Sequence, residues 1–199
     1  MKRIVLASKN EGKTREIRAI LSDWGIDVLS LRDFENIPDI REDGKTFIEN
    51  ALKKARMVSG HTGEVVLADD SGLEVDCLDG APGVHSSRYS GSGATDPRNI
   101  RKLLRAMDSV PVEKRGASFR CVLVLYWPDG YYETFEGSLR GIIHEKPVGD
   151  GGFGYDPVFF LPERGLTVAQ LSLEEKNAVS HRARAVQKLK EHLSALMST

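Results

Sequence analysis

The first 31 residues contain a strand, a polar loop, a helix and a second strand, and this order limits the fold more than any other feature. Ile4–Ala7 is a short apolar run rich in branched side chains, which predicts a buried strand. From Thr14 onward, apolar residues recur at helical spacing as far as Gly25, a residue typical of helix ends. Ile26–Leu31 predicts the second strand. A helix between two strands is the opening unit of an α/β fold.

Further helices are predicted by capping signals. A capping-box motif that begins at Thr46 predicts a helix ending near Gly60. Asp96 is predicted to cap another helix, with Pro97 at its first position. From Ser172 onward the chain is again helical in pattern. The helices therefore alternate with strands along most of the chain.

Further strands are predicted on both sides of two turns. Glu64–Ala68 and Leu73–Leu78 flank a polar turn, and Ala117–Trp127 and Tyr131–Ile143 flank a Pro-Asp-Gly hairpin signature. Pro157–Phe160 predicts a last short strand. A long hairpin within an α/β pattern favours a mixed sheet over an all-parallel one. The 199 residues show no clear linker, so we expect a single domain.

Charge and cysteine content exclude several classes of protein. The formal net charge of −1 provides no general attraction to nucleic acid or to a membrane surface. The N-terminal apolar run is too short for a signal peptide or a membrane span. Cys77 and Cys121 are too sparse for a disulfide framework or a zinc motif. We expect two buried thiols in a reducing cytoplasm.

A polar segment, Ser8–Lys13, lies between the first strand and the first helix. Helix N-termini present free N–H groups and partial positive charge, which suit a phosphate. Lys9 and Lys13 add full charges, and Gly12 lets a ligand approach the backbone. The segment predicts a phosphate-binding loop, although a polar turn with two solvated lysines fits the same residues. A P-loop is disfavoured, because it needs glycine where this chain has Ala7.

An acidic segment, residues 69–72, follows a predicted strand at the position where open α/β sheets bind ligands. Successive strand residues point to opposite faces, so Asp69 and Asp70 are not expected to share one metal. Magnesium takes one or two carboxylates together with phosphate oxygens. The alternative is a simple turn. Other carboxylates that could join the site are Glu42, Asp43, Glu49 and Asp76.

A glycine-rich segment, residues 149–157, contains two aromatic residues, Phe153 and Tyr155. An aromatic ring offers a stacking surface for a base, worth roughly 1–3 kcal/mol. Asp156 could accept hydrogen bonds from ring N–H groups. The alternative is a loop whose aromatic side chains pack into the core, which is the commoner situation for aromatic residues.

A charged segment near the C-terminus contains Lys176 and Arg182, which lie six positions apart. They could face one site only if the helix breaks between them. The alternative is a charged, solvated helix face. The histidines His61, His85, His144 and His192 show no metal-ligand spacing.

Taken together, these segments resemble the Ham1-like inosine triphosphate pyrophosphatases, also called dITP/XTP pyrophosphatases. Each segment alone is a weak signal, but they occur in the family's order and span nearly the whole chain. The matching segments are Ser-Lys-Asn-Glu-Gly-Lys (8–13), Glu-Asp-Gly-Lys-Thr-Phe-Ile-Glu-Asn-Ala (42–51), Ala-Asp-Asp-Ser-Gly-Leu (68–73), Gly-Ala-Pro-Gly-Val (80–84), Ser-Ser-Arg-Tyr-Ser-Gly (86–91), Gly-Gly-Phe-Gly-Tyr-Asp-Pro (151–157), Glu-Glu-Lys-Asn (174–177) and Ser-His-Arg (180–182).

The resemblance implies an α/β fold with a mixed, strongly twisted sheet, flanking helices and two lobes around a nucleotide cleft. It implies a homodimer that uses Mg²⁺ to convert ITP, dITP and XTP to the monophosphate and pyrophosphate. By resemblance, Asp70 is the base that activates water, and Glu42 and Asp70 are magnesium ligands. The substrate-binding residues it implies are Ser8, Lys9, Asn10, Glu11, Gly12, Lys13, Ser71, Phe153, Gly154, Tyr155, Asp156, Lys176, His181 and Arg182.

Two other functions remain compatible with parts of this pattern. A Maf-like pyrophosphatase acting on other modified nucleotides would keep the fold and change the base, but the segments at 153–156 and 180–182 favour a purine. A nucleotide sensor without turnover is disfavoured by the presence of both Glu42 and Asp70. For base selection, we expect a donor such as Arg182 or a backbone N–H to pair with the oxygen at C6 of hypoxanthine or xanthine. Adenine carries an amine there and would leave that donor unpaired.

Overall fold

The computed structural model describes residues 3–197, apart from the side chains of residues 23, 196 and 197. Its centre is one seven-stranded sheet in the order β2-β1-β3-β4-β5-β6-β7. β1 is parallel to β2 and β3, whereas β6 is antiparallel to β5 and β7, so the predicted mixed α/β sheet is confirmed. The strands are β1 (Arg3–Ala7), β2 (Asp27–Ser30), β3 (Val66–Val75), β4 (Gly116–Tyr126), β5 (Tyr132–Ile143), β6 (Phe159–Leu161) and β7 (Leu166–Thr167).

The first four α-helices begin at side-chain caps, but two of the predictions differ from the structure in detail. Thr95, not Asp96, caps the third helix, because its hydroxyl accepts the Arg98 N–H and Asp96 already lies in the first turn. In the second helix Thr46 is the cap, as predicted, since its hydroxyl accepts the Glu49 N–H, but the Glu49 carboxylate accepts from the Lys45 N–H and so does not complete a capping box. The α-helices are α1 (Glu11–Leu21), α2 (Phe47–Thr62), α3 (Asp96–Ala106), α4 (Leu173–Val179) and α5 (His181–Met197).

The chain divides into two compact units. The first consists of Met1–Asp70, Cys121–Gly137 and His181–Thr199. Alternate β1 residues enter different clusters in this unit: Ile4 packs with apolar residues of α1 and α5, and Val5 packs with apolar residues of α2. This follows from the period of two along a strand. The first unit therefore buries both faces of β1.

The second unit consists of Ser71–Arg120 and Ser138–Ser180. Its core contains apolar residues of α3, the strands and the segment that precedes β6. Phe119 and Phe159 stack at its centre, with their ring centroids 4.2 Å apart. Tyr155 belongs to the same cluster and is buried.

The predicted turn at residues 69–72 is wrong, because β3 continues through it. Asp-Asp-Ser-Gly has turn chemistry, but the sheet and the distant partners of its two carboxylates, described below, hold it extended. A prediction for the cysteines is also half wrong: Cys121 is buried, whereas Cys77 is exposed. Among the helices of residues 3–197, none has the length and apolar character needed to cross a membrane.

Candidate active site

The predicted phosphate loop is shorter in the structure than Ser8–Lys13. α1 begins at Glu11, so Lys13 lies in the first helical turn. Asn10 caps this turn, since its side-chain oxygen accepts the Lys13 N–H at 3.0 Å. Lys9 is exposed and pairs with Asp39 at 2.7 Å. A helix N-terminus with a lysine in its first turn therefore follows β1, an arrangement suited to an anion.

Asp69 is the centre of a buried ionic cluster in the first unit. One carboxylate oxygen pairs with Lys13 Nζ, and the other accepts from Arg182 Nε at 2.8 Å. The Cys121 thiol also donates to the second oxygen, at 3.2 Å. Arg182 uses its Nη1 atom to pair with Glu16, which is buried as well. Two carboxylates and two cations thus balance in charge.

This cluster fixes the charge state of Asp69. Burial would raise the pKa of Asp69, but the charges of Arg182 and Lys13 hold it well below its usual range. Burial and the Asp69 charge raise the pKa of the Cys121 thiol, which therefore stays protonated as a donor. Asp69 is therefore a buried carboxylate that is ionised at neutral pH.

Asp70 points away from that cluster, as the strand alternation predicts. Its Oδ2 atom accepts from Asn50 Nδ2 at 3.0 Å, and its Oδ1 atom lies 3.8 Å from Lys54 Nζ. The same ammonium pairs with Glu42 and donates to the Asp69 carbonyl at 2.7 Å. Burial raises the pKa of Asp70, and the Lys54 charge offsets only part of this effect.

The other candidate carboxylates have partners of their own. Asp43 pairs with Lys53 at 2.5 Å, and Glu49 accepts from the Lys45 N–H at 2.6 Å. Asp76, in the second unit, forms an ion pair with Arg140. The structure thus joins Glu42 to Asp70 through one shared ammonium.

Glu42 and Asp70 fit a magnesium ion by their chemistry. Both are carboxylates that converge on a single cationic group, Lys54 Nζ. The described part of the chain has no cluster of three or more His, Cys, Asp or Glu side chains placed to hold a metal. Magnesium needs no such cluster, because it commonly binds one or two carboxylates and keeps water and phosphate oxygens as its other ligands.

In the second unit, Asp156 organises the glycine-rich segment. Its Oδ2 atom accepts from the Phe153 N–H at 2.9 Å and from Lys176 Nζ at 2.5 Å. That ammonium lies 4.6 Å from the centroid of the Phe153 ring, a cation–π distance. The Gly154 N–H donates to Asp96 at 2.7 Å. The half-buried Phe153 is thus held by its backbone N–H, which Asp156 accepts, and by the Lys176 ammonium over its ring.

The two aromatic residues of this segment differ in role. The Tyr155 hydroxyl donates to the Ser86 carbonyl at 2.9 Å, and burial raises its pKa. For Tyr155, therefore, the alternative of core packing is correct. Phe153 is left as the ring on which a base could stack.

The helix between Lys176 and Arg182 is broken at Ser180, whose backbone is extended. Lys176 precedes it, and His181 and Arg182 follow it. All three are buried, so the alternative of a solvated charged face is wrong here. Ser71 lies half-buried in β3, directly after Asp70.

Sequence reasoning missed two residues of the site, Asn50 and Lys54. Both lie on α2, four positions apart, and therefore on one face of the helix. That face is buried, and buried polar groups need partners. The signal was available as two polar residues on the apolar side of an otherwise amphipathic helix.

Comparison with known proteins identifies the family. The model of the Ham1 family matches residues 4–192. A dITP/XTP pyrophosphatase of Geobacter sulfurreducens is 56% identical over 97% of both chains, and one of Geobacillus kaustophilus is 53% identical over 96% of this chain and 94% of that protein.

Solved structures agree with the fold. A HAM1 protein from Coxiella burnetii is 43% identical, with a TM-score of 0.89 over 98% of this chain and 100% of that one. The Staphylococcus aureus Ham1 protein is 39% identical, with a TM-score of 0.87 over 98% and 99%. The order of the segments, the mixed sheet and these similarities lead to one conclusion: the chain belongs to the Ham1 family.

Proposed function

We propose that this chain uses Mg²⁺ to hydrolyse ITP, dITP and XTP to the corresponding monophosphate and pyrophosphate, which removes deaminated purines from the nucleotide pool. The observation that carries the proposal is that the neighbouring residues Asp69 and Asp70 have different partners. Asp69 is neutralised by Lys13 and Arg182, whereas Asp70 faces Glu42 and Lys54 and has a raised pKa. A buried carboxylate that an amide holds in place, and that shares an ammonium with a second carboxylate, suits a general base at a metal site. The named relatives support the choice of substrate.

In the proposed reaction, water attacks the α-phosphorus and its proton passes to the Asp70 carboxylate. The bond from phosphorus to the bridging oxygen breaks, and pyrophosphate leaves with that oxygen. Glu42 and Asp70 would hold Mg²⁺, which when bound supplies charge neutralisation and a more acidic water. Lys13 offsets charge on the leaving group, and 14% of its side chain remains exposed for that contact.

For the base, we propose stacking on Phe153 and hydrogen bonding to Asp156. Selection against adenine comes from a donor that pairs with the oxygen at C6. Arg182 commits Nε and Nη1 to Asp69 and Glu16, which favours a backbone N–H as that donor. An amine at C6 would leave the donor unpaired, which can lower kcat/KM for the adenine nucleotide on the order of 10⁴-fold. Guanine keeps the oxygen, so its rejection must depend on the group at C2.

Product analysis tests the proposed function. With ITP, XTP, GTP and ATP as separate substrates in Mg²⁺, we expect IMP and XMP with pyrophosphate from the first two, and much slower turnover of GTP and ATP. EDTA should stop the reaction. Orthophosphate with IDP would show a different bond cleavage, and equal rates on ATP and ITP would refute the account of selectivity.

The base-stacking role of Phe153 is tested by substitution. Phe153→Ala should raise KM for ITP about ten-fold, because stacking on an aromatic ring contributes roughly 1–3 kcal/mol. The matched control is Phe153→Tyr, which keeps a flat ring and should keep KM near the wild-type value. Steady-state kinetics on ITP measure both. An unchanged KM in Phe153→Ala would show that the base does not stack there.

The proposal includes a homodimer located in the cytoplasm. The dimer rests on the family resemblance. The location rests on the two cysteines, which are both free thiols and therefore suit a reducing compartment. Sedimentation equilibrium tests the dimer, and a mass that stays at 22.0 kDa over the accessible concentration range would exclude it.

A further inference from the structure

Asn50 lies fully buried in the first turn of α2, and both ends of its side-chain amide are in use. Oδ1 accepts the Gly44 N–H at 2.8 Å, and Nδ2 donates to Asp70 Oδ2 at 3.0 Å. The orientation of the amide follows from these partners. The Gly44 N–H can only donate, so the oxygen must face it, and the NH₂ group then faces the carboxylate.

We propose that Asn50 is a positioning residue that locks Asp70 to the segment carrying Glu42. The inference rests on the proposed function in so far as these two carboxylates hold the metal and the attacking water. Asn50 cannot touch substrate itself, because its exposure is 0%. It acts through Asp70 on one side and through the backbone N–H of Gly44, two positions after Glu42, on the other.

The amide is suited to this task for a chemical reason. An amide donates from one end and accepts at the other, so it can join a carboxylate to a backbone N–H. An aspartate at position 50 would present oxygen to the oxygen of Asp70, and a leucine would have the same size without either bond. Groups that support metal ligands in this way typically affect metal affinity or activity about 10–100-fold.

Gly44 permits the close approach that the contact needs. A methyl group on Gly44 would lie 2.7 Å from Asn50 Oδ1 and 2.9 Å from Glu49 Cβ, closer than carbon atoms pack. Gly44→Ala therefore disturbs the same hydrogen bond without altering Asn50. It provides an independent way to break one end of the link.

Lys54 complements Asn50 from one helical turn further along α2. Its ammonium pairs with Glu42 and lies 3.8 Å from Asp70 Oδ1. Lys54 thus offsets part of the negative charge of the two carboxylates, and Asn50 fixes the orientation of one of them. The two residues share a helix face, as positions i and i+4 do.

The experiment uses the full chain and a control that matches the chemistry. Asn99 is also buried and also uses both ends of its amide, accepting the Ser90 N–H at 2.8 Å and donating to the Ser87 carbonyl at 3.1 Å. It lies in the second unit. Mn²⁺ serves as the probe, because the electron paramagnetic resonance signal of the free ion reports binding without any turnover. The variants are Asn50→Leu, Gly44→Ala and the control Asn99→Leu.

We expect Asn50→Leu and Gly44→Ala to weaken Mn²⁺ binding by about ten-fold and to lower kcat on ITP by at least as much. KM for ITP should change by less than about three-fold, because no substrate contact is removed. Asn99→Leu should lower the urea midpoint but leave Mn²⁺ affinity within about two-fold of wild type.

Two results would overturn the proposal. One is Mn²⁺ affinity near wild type in both Asn50→Leu and Gly44→Ala. The other is equal weakening in Asn99→Leu, which would make the effect one of general destabilisation. If Asn50→Leu does not fold, Gly44→Ala decides. A wild type that binds Mn²⁺ but does not hydrolyse ITP would refute the proposed function, and the Mn²⁺ titrations would still decide the role of Asn50.

Discussion

Asp70→Asn is expected to reduce kcat on ITP by about 10³-fold, because it removes a general base and a metal ligand in one change. The side chain keeps its size, so the packing around it is preserved. Steady-state kinetics with Mg²⁺ measure the effect. The matched control is Asp129→Asn, an exposed aspartate that accepts the Tyr131 N–H in the β4–β5 turn and should leave turnover near wild type.

The same variant is not expected to lose stability at pH 7. Folding raises the pKa of Asp70, so its ionised form is less favourable in the folded chain than in the unfolded one. This penalty is present above the unfolded pKa, and the neutral amide removes it. Urea unfolding at pH 7 should therefore give Asp70→Asn a free energy of unfolding equal to wild type or higher. Turnover within a few-fold of wild type would refute the assignment of Asp70 as the base, and a large loss of stability would refute the expectation based on its raised pKa.

The sequence predicted the parts of the site that depend on local pattern. The strand and helix around residues 8–13 could be predicted, since apolar periodicity reports which face is buried. The opposite orientation of Asp69 and Asp70 followed from the period of two in a strand. The spacing of Lys176 and Arg182 made a helix break the condition for both to face one site, and the helix is broken at Ser180.

The parts that were missed depend on partners far away in the chain. Residues 69–72 read as a turn because their local chemistry is that of a turn. Asp69 is held instead by Lys13, 56 positions away, and Arg182, 113 positions away. No local pattern contains those contacts. The link from Asn50 to Gly44 is nearer in sequence, but it appears only once α2 and the preceding segment are placed together.

Asp69 thus has a different task from its neighbour. Strand alternation predicted that the two aspartates do not share one metal, and the family resemblance implied that Asp70 is the metal ligand. In the structure it lies in a buried cluster, where it balances the charges of Lys13 and Arg182 together with Glu16. One of the two adjacent aspartates therefore serves stability, and the other is proposed to serve catalysis.

Asp69→Asn should lower the free energy of unfolding by about 3–5 kcal/mol, because removing one partner of a buried pair leaves its charge uncompensated. The cluster of Asp69, Glu16, Lys13 and Arg182 is neutral as it stands and would carry one net positive charge after the change. Urea unfolding at pH 7 measures the loss. The control is Asp76→Asn, which breaks an ion pair whose side chains are more than half exposed and worth about 0–1 kcal/mol.

The pH dependence gives this prediction a second signature. The folded-state pKa of Asp69 lies well below the unfolded value of about 3.9. The contribution of Asp69 to the free energy of unfolding is therefore complete above the unfolded pKa and is lost as pH falls through the folded pKa. The difference in the free energy of unfolding between wild type and Asp69→Asn should be nearly the same at pH 7 and pH 5, and should become smaller only in stronger acid. A gap below about 1 kcal/mol at pH 7 would place Asp69 with ordinary surface carboxylates, and the buried cluster would then not stabilise the fold.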